Sequence, residues 1–160
     1  MTDHEWPVAA FDPVRRLRVV AATIRGASIR ETILAMPLPS VWAVAADFEG
    51  ELPHWLFPDI RLVRVAATSE PDRLVVRAVG YSGLRARFDV VLRPGWCLMQ
   101  SRFLVGGMAA VEEDGETRFA LLGGLRGPLR PLAPTVRPIS AHISDRALSR
   151  LTQRVEQSRS

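Results

Sequence analysis

From Ile60 to Leu125 the chain alternates apolar and polar residues with a period of two, and only one long amphipathic segment follows. The clearest run interleaves Leu84, Ala86, Phe88, Val90 and Leu92 with Arg85, Arg87, Asp89, Val91 and Arg93. Turns are signalled by Glu70-Pro71-Asp72, Pro94-Gly95 and the Asp-Gly hairpin Glu113-Asp114-Gly115-Glu116. These predict strands at Ile60 to Ala67, Arg73 to Tyr81, Leu84 to Arg93, Trp96 to Val111 and Thr117 to Leu125, the fourth bulged at Gly106-Gly107. Five hairpin-linked strands form an antiparallel sheet, and one face of such a sheet must be covered.

The cover is expected from Pro138 to Ser158. At 100° per residue, Ile143, Ala147, Leu148, Leu151 and Val155 share one arc, and His142, Asp145, Arg146, Ser149, Thr152, Gln153 and Glu156 lie opposite. The inner arc carries only Ser140 and Ser144 in its first turns, which leaves room beneath them. Either a ligand or water occupies that room, or both serines bond back to helix carbonyls and the sheet closes over them.

Upstream, residues 1–11 read as a loose leader. Asp12 and Pro13 then supply a cap and a first helical residue, Val14, Leu17, Val20, Ala21 and Ile24 form an apolar arc, and Gly26 offers a stop. The arginines Arg15, Arg16 and Arg18 occupy the other side, so this helix docks on the domain's own sheet or rests on a membrane surface. Ser28 to Met36 alternates as a strand that Pro37 and Pro39 end. Ser40 to Phe48 reads as a short helix, and Glu49 to Pro58, with Leu52, Trp55 and Phe57, as a turn or second helical piece. The expected fold is α+β: an antiparallel sheet of about six to seven strands wrapped around a long C-terminal helix, with two short helices after the first strand and an extra N-terminal helix. Residues 1–26 form the leader and added helix, and residues 27–158 the helix-grip domain.

One cysteine, Cys97, and three scattered histidines, His4, His54 and His142, cannot assemble a four-ligand metal site or a disulfide framework, so neither metal nor cofactor is expected. The acidic start carries no signal-length apolar run and no integral membrane segment is present, which predicts a cytoplasmic protein. All 21 basic residues are arginine. Residues 118–160 carry a surplus of six positive charges, and Arg146, Arg150 and Arg154 fall four apart on the last helix. They form a solvated flank or, alternatively, a surface for a protein partner. No nucleic-acid motif accompanies them, so nucleic acid is not an expected partner.

The segment Ile33-Leu34-Ala35-Met36-Pro37, followed by Val41-Trp42, Asp47, Pro53 and Trp55, resembles the opening of the SRPBCC superfamily, the START-like proteins. Gly127-Pro128-Leu129 and a long helix with Leu148 and Leu151 resemble that family's ending, so the resemblance spans about Ala27 to Gln157. It implies a deep apolar cavity between sheet and C-terminal helix that takes a lipid, polyketide or other hydrophobic small molecule. Some members are polyketide cyclases or dehydratases, but their catalytic residues are not shared and none carries over.

With charged residues pointing outward, the sheet's inner face should present Leu74, Val76, Ala78, Phe88, Val90, Met99, Ser101, Phe103, Phe119 and Leu121. The candidate ligand-binding residues are Trp55, Phe88, Met99, Ser101, Phe103, Phe119, Leu121, Ser140, Ile143 and Ser144; the competing reading is that these side chains simply pack on one another. His54, beside Pro53 and Trp55, is the candidate proton donor or acceptor if the protein is an enzyme, and otherwise a surface histidine. Cys97 reads as a small apolar residue. Three functions remain: binding, in which the molecule is carried, presented or sensed; cyclase or dehydratase chemistry in the same cavity; and a protein-interaction role.

Overall fold

The computed structural model describes residues 11–160, so the predicted leader, apart from Phe11, lies outside the described residues. Helix α1 (Pro13–Thr23) starts where Asp12 Oδ1 accepts the Arg15 amide at 2.9 Å, and Gly26, at φ +74°, turns the chain into β1 (Ser28–Leu34). Two short helices follow, α2 (Leu38–Ala45) and α3 (Leu52–Trp55). Helix α2 begins two residues before the predicted start because Pro39 sits in its first turn, where a missing N–H leaves no bond unmade.

Six strands then run as a meander: β2 (Ile60–Ala67), β3 (Arg73–Gly80), β4 (Arg85–Arg93), β5 (Trp96–Gln100), β6 (Leu104–Glu113) and β7 (Glu116–Leu125). Every pairing is antiparallel, and the order β1-β7-β6-β5-β4-β3-β2 leaves β1 and β2 as the edges. The β6–β7 hairpin turns at Asp114 (φ 53°) and Gly115 (φ 80°), the left-handed pair that an Asp-Gly turn requires.

Two expectations are corrected. The single strand from Trp96 to Val111 is a hairpin of β5 and β6, because the Ser101 hydroxyl accepts the amides of Phe103 (3.2 Å) and Leu104 (3.0 Å) and closes a turn without glycine or proline. Gly106 and Gly107 pair in unbroken register with both neighbouring strands, so no bulge lies there; the register shift falls between Ile60 and Leu62. Gly107 instead admits α1, since a Cβ there would stand 3.0 Å from Leu17 Cδ1 and 3.1 Å from the Cys97 carbonyl oxygen.

The last helix, α4 (Ala133–Ser158), begins five residues before Pro138 and follows a 3₁₀ turn, Gly127–Leu132. Pro138 is exposed in its second turn, where one backbone bond is forgone near an end that already leaves several unmade.

The sheet is buried unequally on its two faces. On the inner face, α2, α3 and α4 join Leu34, Val63, Val76, Val90, Met108 and Phe119 in one core. On the outer face, α1 places Val14 and Leu17 over Trp96, Ala109, Ala120 and Leu122, and Arg18 binds the Glu31 carboxylate of β1 through two nitrogens. Helix α1 therefore docks on the sheet over β6, β7 and β1. Among the described residues no helix packs on that side of β2 to β4, and Arg64, Arg77 and Arg87 stand directly opposite one another across them.

Candidate functional site

Helix α4 divides the inner core into a closed half and a hollow half. Leu148, Leu151 and Val155 are buried in one cluster with Leu34, Val41, Trp55 and Phe119, and Trp55 meets Phe119 edge-on at 6.1 Å. Polar contacts pin α3 to this half. Arg154 donates to both carboxylate oxygens of Glu51 at 2.7 and 2.9 Å, and Arg150 Nε donates to the Trp55 carbonyl at 2.9 Å. The hydrogen bonds from Arg154 hold the Glu51 carboxyl below its ordinary range. Arg150 and Arg154 are therefore half-buried against α3, which offers them a carbonyl and a carboxylate, while Arg146 of the same predicted flank stays exposed.

One helical turn toward the N-terminus of α4, serines take the inner positions that leucines hold further on. Val136, Ser140, Ile143 and Ser144 face the sheet across a cavity of about 210 Å³. Opposite them stand Val76 and Ala78 of β3, Phe88 of β4, Met99 of β5, Leu104 and Gly106 of β6, and Leu121 and Gly123 of β7, with Leu52, Leu56 and Phe57 closing one side. Ile143 and Leu104 are also partly exposed, which puts them at the mouth. The absence of bulk at Ser140 and Ser144 is what leaves this volume open, because a leucine at either would project into it.

Among the described residues the wall holds no ionisable side chain, and its side-chain polarity is confined to two hydroxyls. Ser140 Oγ lies 3.0 Å from Ser28 Oγ, and Gly123 makes that approach possible, since a Cβ there would stand 3.1 Å from Ser140 Oγ. Ser144 is only 6% exposed and makes no hydrogen bond among the described residues.

Of the predicted ligand-binding residues, Phe88, Met99, Leu121, Ser140, Ile143 and Ser144 come together in the wall. Trp55 and Phe119 lie wholly buried in the closed half. Ser101 and Phe103 do not face inward from a strand, because both fall in the β5–β6 turn, where Arg102 stacks 5.3 Å from the half-exposed Phe103 ring. His54 is exposed on α3 and outside the wall. Cys97 is fully buried and burial pushes its thiol up to about 12. Among the described residues no group of three metal-ligating side chains occurs, and no helix is long and apolar enough to cross a membrane. The sequence reading missed Val136, hidden by placing the helix start at Pro138, and Leu104, hidden by merging β5 with β6.

Comparison of this geometry with solved structures decides the architecture. A protein from Thermus thermophilus superposes with a TM-score of 0.63 at 20% identity, covering 84% of this chain and 99% of that one. A START superfamily protein from Mycobacterium smegmatis gives 0.59 at 17% identity, covering 82% and 97%. The fold is the START-like helix-grip. The Zhui aromatase/cyclase from Streptomyces sp. R1128 shares this helix-grip at a TM-score of 0.58 and 17% identity, covering 82% and 93%. No protein-family model and no curated protein matches the sequence. In the helix-grip shared with these proteins, the long α4 lies across the inner sheet face, and that arrangement encloses the cavity.

Proposed function

We propose that the protein binds a hydrophobic small molecule between the sheet and the first half of α4, and carries, presents or senses it. The observation that carries this reading is the cavity itself. Its described lining is almost wholly apolar and opens to solvent at Leu104 and Ile143, so an apolar molecule entering it would remove that surface from water at about 25 cal/mol per Å². A void lined by apolar groups gains little from water and much from an apolar guest. The neighbours named START superfamily protein and aromatase/cyclase support a cavity used for ligands.

Cyclase or dehydratase chemistry draws less support. A proton-transferring site needs at least two converging groups of suitable pKa, and among the described residues the wall offers two serine hydroxyls with no histidine or carboxylate beside them.

Native mass spectrometry of the protein isolated from its own host should show a bound apolar compound. The variant Ala78→Phe, which projects a ring into the cavity, should lose that compound and melt at a higher temperature. Equal retention of the compound by the variant would remove the cavity as its site.

A further inference from the structure

The polar groups of the cavity are not equivalent, and their difference bears on what the cavity holds. Serine and threonine inside a helix can return their hydroxyl to the carbonyl four residues earlier. Ser149 does so to Asp145 at 3.1 Å, and Thr152 does so to Leu148 at 3.0 Å. Ser140 is taken by Ser28 at 3.0 Å. Ser144, only 6% exposed and part of the wall, has no such bond among the described residues. Among the described residues the fully buried polar atom without a partner is Trp55 Nε1, so the Ser144 oxygen keeps accessible surface where it lines the cavity and can meet a guest there.

The rest of the wall limits that partner. With no arginine, histidine or other cation among the described lining residues, a carboxylate or phosphate inside would find no cation there to pair with, which is strongly disfavoured. The volume limits it too. At about 210 Å³, the space is about 1.4 times the roughly 150 Å³ engineered cavity that takes up benzene, which at the same packing scales to a molecule of one to two rings.

Resting on the binding role proposed above, we infer that the ligand is a compact, uncharged molecule of one or two rings, or of equivalent bulk, carrying one hydroxyl or carbonyl oxygen that pairs with the Ser144 hydroxyl. Ser140, already engaged, holds Ser28 and shapes the wall.

The test is calorimetric or fluorescence titration of the full chain with four probes: naphthalene, 2-naphthol, 2-naphthoate and 1-hydroxypyrene. The wild type should bind 2-naphthol about three- to tenfold more tightly than naphthalene, the worth of one neutral hydrogen bond. It should bind 2-naphthoate at least about tenfold more weakly than 2-naphthol, since the carboxylate finds no cation. The four-ring 1-hydroxypyrene should bind more weakly than 2-naphthol. In Ser144→Ala the preference for 2-naphthol over naphthalene should vanish with naphthalene affinity retained, whereas Ser140→Ala should keep the preference. Equal loss of both ligands in Ser144→Ala, or no preference in the wild type, overturns the role of Ser144 while leaving a binding cavity. Tighter binding of 2-naphthoate or 1-hydroxypyrene overturns the ligand class in the same way. Binding of none of the four overturns the binding role as well.

Discussion

Glu51 and Arg154 meet through two short hydrogen bonds, but their side chains keep 26% and 35% exposure, so solvent screens the pair. It should therefore contribute about 1 kcal/mol, below the roughly 3–5 kcal/mol lost when a buried pair is broken. Because Arg154 lowers the folded-state pKa of Glu51 beneath its ordinary value of 4.5, the contribution is complete above that value and fades as pH falls through the depressed one. Urea unfolding of Glu51→Gln should show the full deficit at pH 7 and a progressively smaller one as the pH is lowered below 4.5. Cys97 makes a second residue-scale case: with its thiol pushed up to about 12 by burial, it should resist thiol reagents at pH 8 and react fully in denaturant. Composition and the lack of any activating neighbour in sequence already indicated an inert cysteine. The clamp between Glu51 and Arg154 was not legible, because the partners are separated by 103 positions and meet only once α3 lies against α4.

Among the elements, the meander was legible wherever alternation and a glycine or proline turn coincided, as at Pro94-Gly95 and Asp114-Gly115. It was illegible at Ser101, where a hydroxyl does the work of a turn residue, and at Ala133, where proline in an early turn resembles a helix start. Alternation also predicted outward arginines without revealing register. Register places Arg64, Arg77 and Arg87 in one row across β2, β3 and β4, and like charges directly opposite destabilise a sheet. Arg77→Thr should thus stabilise the protein by about 0.5–1 kcal/mol at low ionic strength, an advantage that salt should reduce in thermal melts. For α1, whose Leu17 is fully buried beneath it, Leu17→Ala should cost about 2–5 kcal/mol in equilibrium unfolding. A helix merely resting on a membrane would lose almost nothing.

Across the whole molecule, stability and vacancy are separated along α4. Its later turns fill the core with Leu148, Leu151 and Val155, and its earlier turns roof the cavity with Ser140 and Ser144. Backbone amides over residues 136–144 should therefore exchange with solvent faster than those over residues 147–155, and a bound ligand should slow the first group selectively. Sequence indicated this division through the small residues on the inner arc, although the volume depends on strand placement that spacing does not reveal. The two sides of the sheet add an asymmetry of mechanical kind. Strands β6 and β7 are sandwiched between α1 and the inner core, whereas among the described residues no helix backs β2, β3 and β4. The chamber thus has a braced back and an unbraced flank, and guests of different girth would be met by flexure of the flank while the braced strands keep their alignment.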